Sequence, residues 1–173
     1  MQNLFITFSR PLQLMDIVDS KTRSKMMSGI KSINTKPEMQ IRSELHRRGM
    51  RFRIHVKNLP GSPDLVLHKH KVTIFVHGCF WHGHRCHLFK IPSTRRNFWM
   101  DKIKTNQKRD ERNIGALQQA GWRTYIIWEC AIRNKTKFVP SIYDHLEEWI
   151  KCGSNFYETL AYSQYDKLQS STE

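Results

Sequence analysis

Two cysteines and four histidines fall within nineteen residues, from Val72 to Lys90: VTIFVHGCFWHGHRCHLFK. An apolar run, Val72 to Val76, leads into Gly78 and then into metal ligands, proton carriers and the Phe80-Trp81 pair. Cys79, His84 and Cys86 are ligands gathered on one loop, and Cys130 can join them from the end of a later apolar run. A Cys3His set suits tetrahedral structural zinc. The spacing is not that of a C-x2-C finger; His82, His87 and Cys152 are rival ligands, and four reduced cysteines in a core are the reading without metal.

The acid–base groups form a second set. Asp64 follows Pro63, and a turn aspartate is the plain alternative for it. Asp64 and the segment ending at His77 face each other if the intervening chain makes a hairpin, which brings Asp64 near Val76 and His77. A carboxylate, a main-chain carbonyl and water suit magnesium, which completes its shell with substrate phosphate. A nearby imidazole can then take the proton of an attacking water. Asp110 lies seven residues after Ile103 and four before Ile114, on the apolar face of a long helical pattern. A carboxylate there needs a partner, either structural or functional.

Aromatics make the third set. Phe80, Trp81, Phe89, Phe98 and Trp99 interleave with Arg85, Lys90, Arg95 and Arg96. Rings can stack on bases or open a base step while arginines hold phosphates. Core packing is the alternative, an awkward one for the neighbouring rings of Phe80 and Trp81.

The elements that must position these groups follow from periodicity and punctuation. Residues 20–36 read as a basic polar segment holding Met26, Met27 and Ile30, with Ser20 or Thr22 as a helix cap; it is a solvated helix or an arm on DNA. Thr35-Lys36-Pro37-Glu38 is a capping box, Ile41 and Leu45 mark the buried face behind it, and Gly49 ends the helix. Capping accounts for Glu38, which also sits near the apolar edge. Strands are expected at 51–56, 65–68, 72–77 and 123–129, a long helix at 98–120 and an amphipathic helix at 138–150. The first three strands form an antiparallel meander and the fourth, after the long helix, joins in parallel.

At 173 residues the chain suits one domain with a real core. Its net charge of +14, from 29 Lys+Arg against 15 Asp+Glu, points to a polyanion, nucleic acid before membrane. No apolar run approaches the ~18 residues of a membrane span. The irregular cysteines fit a reducing compartment.

Pro60-Gly61-Ser62-Pro63-Asp64, the run IFVHGCFWH ending at His82, Lys108-Arg109-Asp110 and Trp128-Glu129-Cys130 closely resemble the very-short-patch repair (Vsr) DNA mismatch endonucleases, from about Ser20 to Cys152. The resemblance implies an α/β fold with a restriction-endonuclease-like core: a mixed central sheet flanked by helices, with structural zinc. It implies nicking beside the thymine of a T:G mismatch left by 5-methylcytosine deamination, which starts short-patch repair. It assigns Asp64 and the Val76 carbonyl to catalytic magnesium, His77 and Asp110 to water on that metal, and His82 to the general base. Glu38 matches an N-terminal glutamate near the active site, and Cys79, His84, Cys86 and Cys130 match the zinc set. Phe80, Trp81 and Trp99 match a wedge entering from the major groove; Met27 and Ile30 match an arm in the minor groove. Val76 stands where the family has threonine, which matters little if only the carbonyl binds. Restriction-type nucleases carry a D…(D/E)-x-K pair, but twelve residues after Asp64 this chain has Val76-His77-Gly78. His77, His82 and Asp110 must supply what that motif lacks.

The expected organisation is an N-terminal extension at 1–18, its first fourteen residues an extension or a misplaced start, then a DNA-contacting arm at 19–36, the endonuclease domain at 37–152 and a polar tail at 153–173. The expected partners are double-stranded DNA with a T:G mismatch and downstream repair proteins, with no membrane. A monomer in the bacterial cytoplasm, at the nucleoid when working, completes the expectation. A restriction-type nuclease on unmodified duplex and a non-catalytic zinc module on DNA are the alternatives.

Overall fold

Four strands in the order β1-β2-β3-β4 form one sheet. The structure, a computed structural model, describes residues 19–29, 33–133 and 138–159. Helix α1 (Ser20–Ser28) is followed by α2 (Lys36–Arg47), β1 (Leu65–Leu67), β2 (Val72–His77) and α3 (Arg96–Gln119). Then come β3 (Arg123–Trp128), the short α4 (Glu129–Ile132), α5 (Phe138–Cys152) and β4 (Phe156–Glu158). β1 pairs antiparallel with β2, while β2–β3 and β3–β4 are parallel. The mixed sheet flanked by helices is as expected.

Three elements differ from expectation. Segment 51–56 gives one bridge, Arg53 to Val66, instead of a strand. His55 at φ 55° turns the chain out of the extended region, and Ile54 is left exposed. β4 forms in the stretch expected to be a tail, where the Thr159 hydroxyl accepts the Trp128 N–H at 2.9 Å. α1 is capped by Asp19, whose carboxylate accepts the N–H and hydroxyl of Thr22, rather than by Ser20 or Thr22. The capping box of α2 is present as expected.

The core follows from the pleat. Val72 and Ile74 of β2 face the same side as Tyr125 and Ile127 of β3, packed with Ile41, Leu45, Leu146 and Ile150 of α2 and α5. Phe75 faces the other side with Val66, Leu117 and Trp122. Strands buried on both faces need near-continuous apolar runs, as β2 and β3 have.

Arg123 ties α5 to the sheet. Its guanidinium donates to the carbonyls of Trp149 and Gly153 at 2.9 Å and to that of Ile150, at the C-terminal end of the helix, where carbonyls lack helical partners. Arg123→Ala is expected to lower unfolding free energy by about 2–3 kcal/mol in urea titration, the scale of charge-assisted hydrogen bonds. A change under about 0.5 kcal/mol, ordinary for a surface site, would show that the cap contributes little.

The parallel strands set the site. β2 and β3 end at the same edge, in register from Val72–Arg123 to His77–Trp128. Antiparallel β1 begins there. Open α/β sheets place ligands beyond the carboxyl ends of their strands.

Candidate active site

Asp64 stands just before β1, and the Val76 N–H donates to its Oδ2 at 2.7 Å. The hairpin brings the two together as expected, although its corner is a 3-10 turn, His68–His70, closed by Lys71 at φ 52°. Asp64 Oδ1 makes no hydrogen bond among the described residues. Burial pushes the Asp64 carboxyl up to about 6; the Val76 hydrogen bond works against this, and the Glu38 charge adds to it. An added cation in the cleft would relieve both burial and repulsion.

His77 ends β2 and lies parallel to His82, ring centroids 3.7 Å apart and planes 7° apart. His82 Nδ1 meets Asp110 Oδ2 at 2.5 Å. Gly83 at φ 69° turns the loop directly after His82. Burial and the neighbouring His82 push His77 down to about 3, so it is neutral near pH 7. Its buried Nδ1 has no partner among the described residues. Burial opposes the Asp110 charge, but the His82 hydrogen bond and charge outweigh it and hold its carboxyl below the usual range. Ligand atoms of the three residues lie within 4.8 Å of one another. Parallel rings, however, keep their in-plane lone pairs side by side, which suits proton handling better than joint hold on one ion.

Glu38 is buried, and all its acceptor positions are engaged near the cleft. It takes the Asn34 N–H at 2.9 Å, the Thr35 N–H and hydroxyl at 3.3 and 2.8 Å, and the Arg42 guanidinium at 2.8 Å. Arg42, itself buried, was not foreseen; a cation four residues after Glu38 is the signal that could have found it.

A cleft of about 830 Å³ joins these groups, lined by Glu38, Asp64, His77, His82 and Asp110 together with Trp81 and Arg109. Phe80, Trp81 and Trp99 meet edge to face, with centroids 5.1, 5.4 and 6.1 Å apart, and exposed Phe98 extends the group from Trp99 at 5.2 Å. None of the first three is fully buried. α3 grips the loop through two amides that sequence reasoning missed. Asn106 donates to the Trp81 carbonyl at 2.8 Å and Gln107 to that of His82 at 3.2 Å. Asn106 falls three residues after Ile103 and four before Asp110, so the pattern that exposed Asp110 could have found it. The side chain of Met27 and the whole of Ile30 lie outside the described residues.

The second cluster is Cys79, His84, Cys86 and Cys130, with ligand atoms within 4.8 Å of one another. Cys130 Sγ lies 3.4 Å from His84 Nδ1, and the Cys130 N–H points to Cys79 Sγ at 3.4 Å. The rivals are elsewhere: His87 is exposed, His82 is with Asp110, and Cys152 bonds to the Glu148 carbonyl. The side-chain hydrogen bond with Cys130, which keeps the Cys79 thiol protonated, and then burial push that thiol up to about 12, and burial raises Cys86. Thiolates cannot share this space without a cation, and three sulfurs with one imidazole are a donor set that zinc fits.

Known proteins are similar to this chain in sequence. The chain is 47% identical to the DNA mismatch endonuclease Vsr of Escherichia coli (strain K12) over 139 residues, 80% of this chain and 88% of the relative. The chain belongs to the Vsr family. The family model described as DNA mismatch endonuclease Vsr matches residues 15–88. Other Vsr relatives are type II nicking enzymes. V.XorIIP of Xanthomonas oryzae pv. oryzae is 44% identical over 68% of this chain and 86% of its own length. V.NmeAIP of Neisseria meningitidis serogroup A is 42% identical over 69% and 86%. This Vsr family member is therefore a DNA-cleaving hydrolase that nicks its substrate. Among the described residues no helix is long and apolar enough to cross a membrane.

Proposed function

We propose that the protein is a magnesium-dependent endonuclease that nicks one strand beside the T of a T:G mismatch. The observation that carries this reading is one cleft opening on Asp64, the Asp110–His82–His77 file and the ring of Trp81. On this reading the core is restriction-endonuclease-like, and the work is done on DNA in a bacterial cytoplasm.

Asp64 and the Val76 carbonyl would hold magnesium, and bound there the ion would polarise the phosphodiester and stabilise the leaving oxygen. Asp110 accepts a hydrogen bond from His82 Nδ1–H, which fixes the tautomer and leaves Nε2 to take the proton of an attacking water. His77, neutral and with an Nδ1 that has no partner among the described residues, can orient water beside it. Glu38 holds a fixed negative charge near Asp64, secured by Arg42.

Phe80, Trp81 and Trp99 enter the base stack at the mismatch, and Met27 and Ile30 approach from the other groove. A wobble pair costs less to unstack than a matched one, which gives the wedge its selectivity. Cys79, His84, Cys86 and Cys130 hold zinc as a structural ion. Elemental analysis is expected to return about one zinc per chain, one four-ligand site's worth. Zinc-free protein of full activity would leave the cluster as packed thiols.

Nicking assays on matched and T:G duplexes, in many sequence contexts and with magnesium or chelator, test the function. Strand-specific nicking confined to T:G duplexes and requiring magnesium is expected. Equal cutting of matched duplex would replace mismatch repair by restriction-type activity.

A further inference from the structure

Trp128 is not among the residues that the proposed chemistry uses. It ends β3, opposite His77 in the β2–β3 register, and is buried. Four rings run without a break through it. The imidazole of His84, from the Cys/His cluster, lies flat on the Trp128 indole, centroids 4.2 Å apart and planes 7° apart. Trp128 meets His77 edge to face at 5.3 Å and 67°. His77 lies flat on His82 at 3.7 Å, and His82 is bonded to Asp110.

The indole Nε1–H is buried and has no acceptor among the described residues. Leaving such a donor unpaired is unfavourable, because its bonds to water are lost and not replaced. A phenyl ring carries no such donor, so the tryptophan is not explained by hydrogen bonding. What the indole supplies is breadth, enough to cover one imidazole with its face while reaching another.

We propose that Trp128 is a positioning residue that couples the Cys79–His84–Cys86–Cys130 cluster to the His77–His82 pair, so that order at the cluster aligns the imidazole that takes the proton. The chain offers a rival route, because the loop from Cys79 to His84 itself contains His82. The ring column adds a packed contact to it: His82 is held between Asp110 on one side and the stack on the other. A misplacement of about 1 Å can cost on the order of a hundredfold in rate, so a side chain that touches no substrate can matter this much.

The inference rests on the reading of His82 as the general base. Its test compares Trp128→Leu and Trp128→Phe with His82→Ala and with the Trp128→Leu/His82→Ala double variant. The four cluster ligands are untouched, so zinc content by elemental analysis and affinity for a T:G duplex are expected to stay as in wild type. Single-turnover nicking is expected to fall on the order of a hundredfold with leucine, as for a misplaced catalytic group, and less with phenylalanine, whose ring restores part of the stack. In the double variant the leucine is expected to add nothing to the loss caused by His82→Ala, because both act on one proton transfer.

Wild-type rates in both Trp128 variants, with zinc bound, overturn the coupling and leave transmission to the loop. Loss of zinc or DNA affinity in parallel with rate reduces Trp128 to a structural residue. If leucine prevents folding, phenylalanine decides: a reduced rate with zinc and DNA binding intact supports the coupling, and an unchanged rate removes it. An active His82→Ala protein refutes the base assignment itself, and the coupling falls with it. An inactive His82→Ala beside fully active Trp128 variants refutes the coupling alone.

Discussion

A His82→Ala protein is expected to nick a T:G duplex about 10²- to 10⁴-fold more slowly than wild type under single turnover, the usual contribution of a general base. Duplex affinity and zinc content should hold, because His82 belongs to neither the aromatic group nor the Cys/His cluster. Among the described residues the geometry gives His82 one engaged nitrogen, Nδ1 on Asp110. Asp110→Asn keeps the shape but removes the charge, and the amide can donate to the ring and reverse its tautomer. Losing one charge-assisted hydrogen bond of roughly 1.5–3 kcal/mol corresponds to about a 10- to 100-fold fall. Asp110→Asn should therefore lie between wild type and His82→Ala. Full activity in His82→Ala would move the proton transfer to another group, with His77 the neighbour to test first.

The site was legible where residue spacing alone determines distance. Asp64 and Val76 are joined by a short hairpin, so their meeting follows from chain length. Asp110 was visible because the 3.6-residue repeat put a carboxylate on a buried stripe, and Cys130 because it stands just beyond a strand that ends level with β2. The sheet's outer members were less legible. Segment 51–56 alternates like a strand, but a left-handed His55 stops it after one bridge, and backbone dihedrals leave no mark on an alternating pattern. β4 is three residues long and depends on pairing with β3, so a polar local context hid it. Arg42, Asn106 and Gln107 act on carboxylates or carbonyls brought to them by the fold, and periodicity only says that they share a face. The Trp128 column needed the register of two strands and the course of a loop together.

Asp64→Asn is expected to remove activity and to add stability. Asparagine can still accept the Val76 N–H, so the hairpin survives, but a neutral amide is a poor ligand for a hard cation. Loss of several kcal/mol of metal-assisted stabilisation corresponds to about a thousandfold or more in nicking rate, while duplex affinity, carried by basic groups and aromatics, should change little. The stability gain follows from the raised pKa. With a carboxyl pushed up to about 6 from its ordinary 3.8, the native state keeps its proton to higher pH than the unfolded chain. The native state thus binds more protons in that window, and stability falls as pH rises through it. At pH 7 without metal, this destabilisation is on the order of 1–3 kcal/mol, and asparagine is free of it. His77 has the opposite sign: held neutral down to about 3, it makes stability rise with pH up to its unfolded value near 6.5. The wild-type profile mixes the two, so the Asp64→Asn protein should show the steeper rise between about pH 4 and 6 in thermal or urea unfolding with chelator present. Metal binding must displace the same proton, so wild-type nicking at pH 5 should need about tenfold more magnesium than at pH 7. An Asp64→Asn protein no more stable than wild type at pH 7 would mean that Asp64 ionises there without strain. Magnesium demand that does not change with pH would mean that the proton is lost elsewhere than at the metal's ligand.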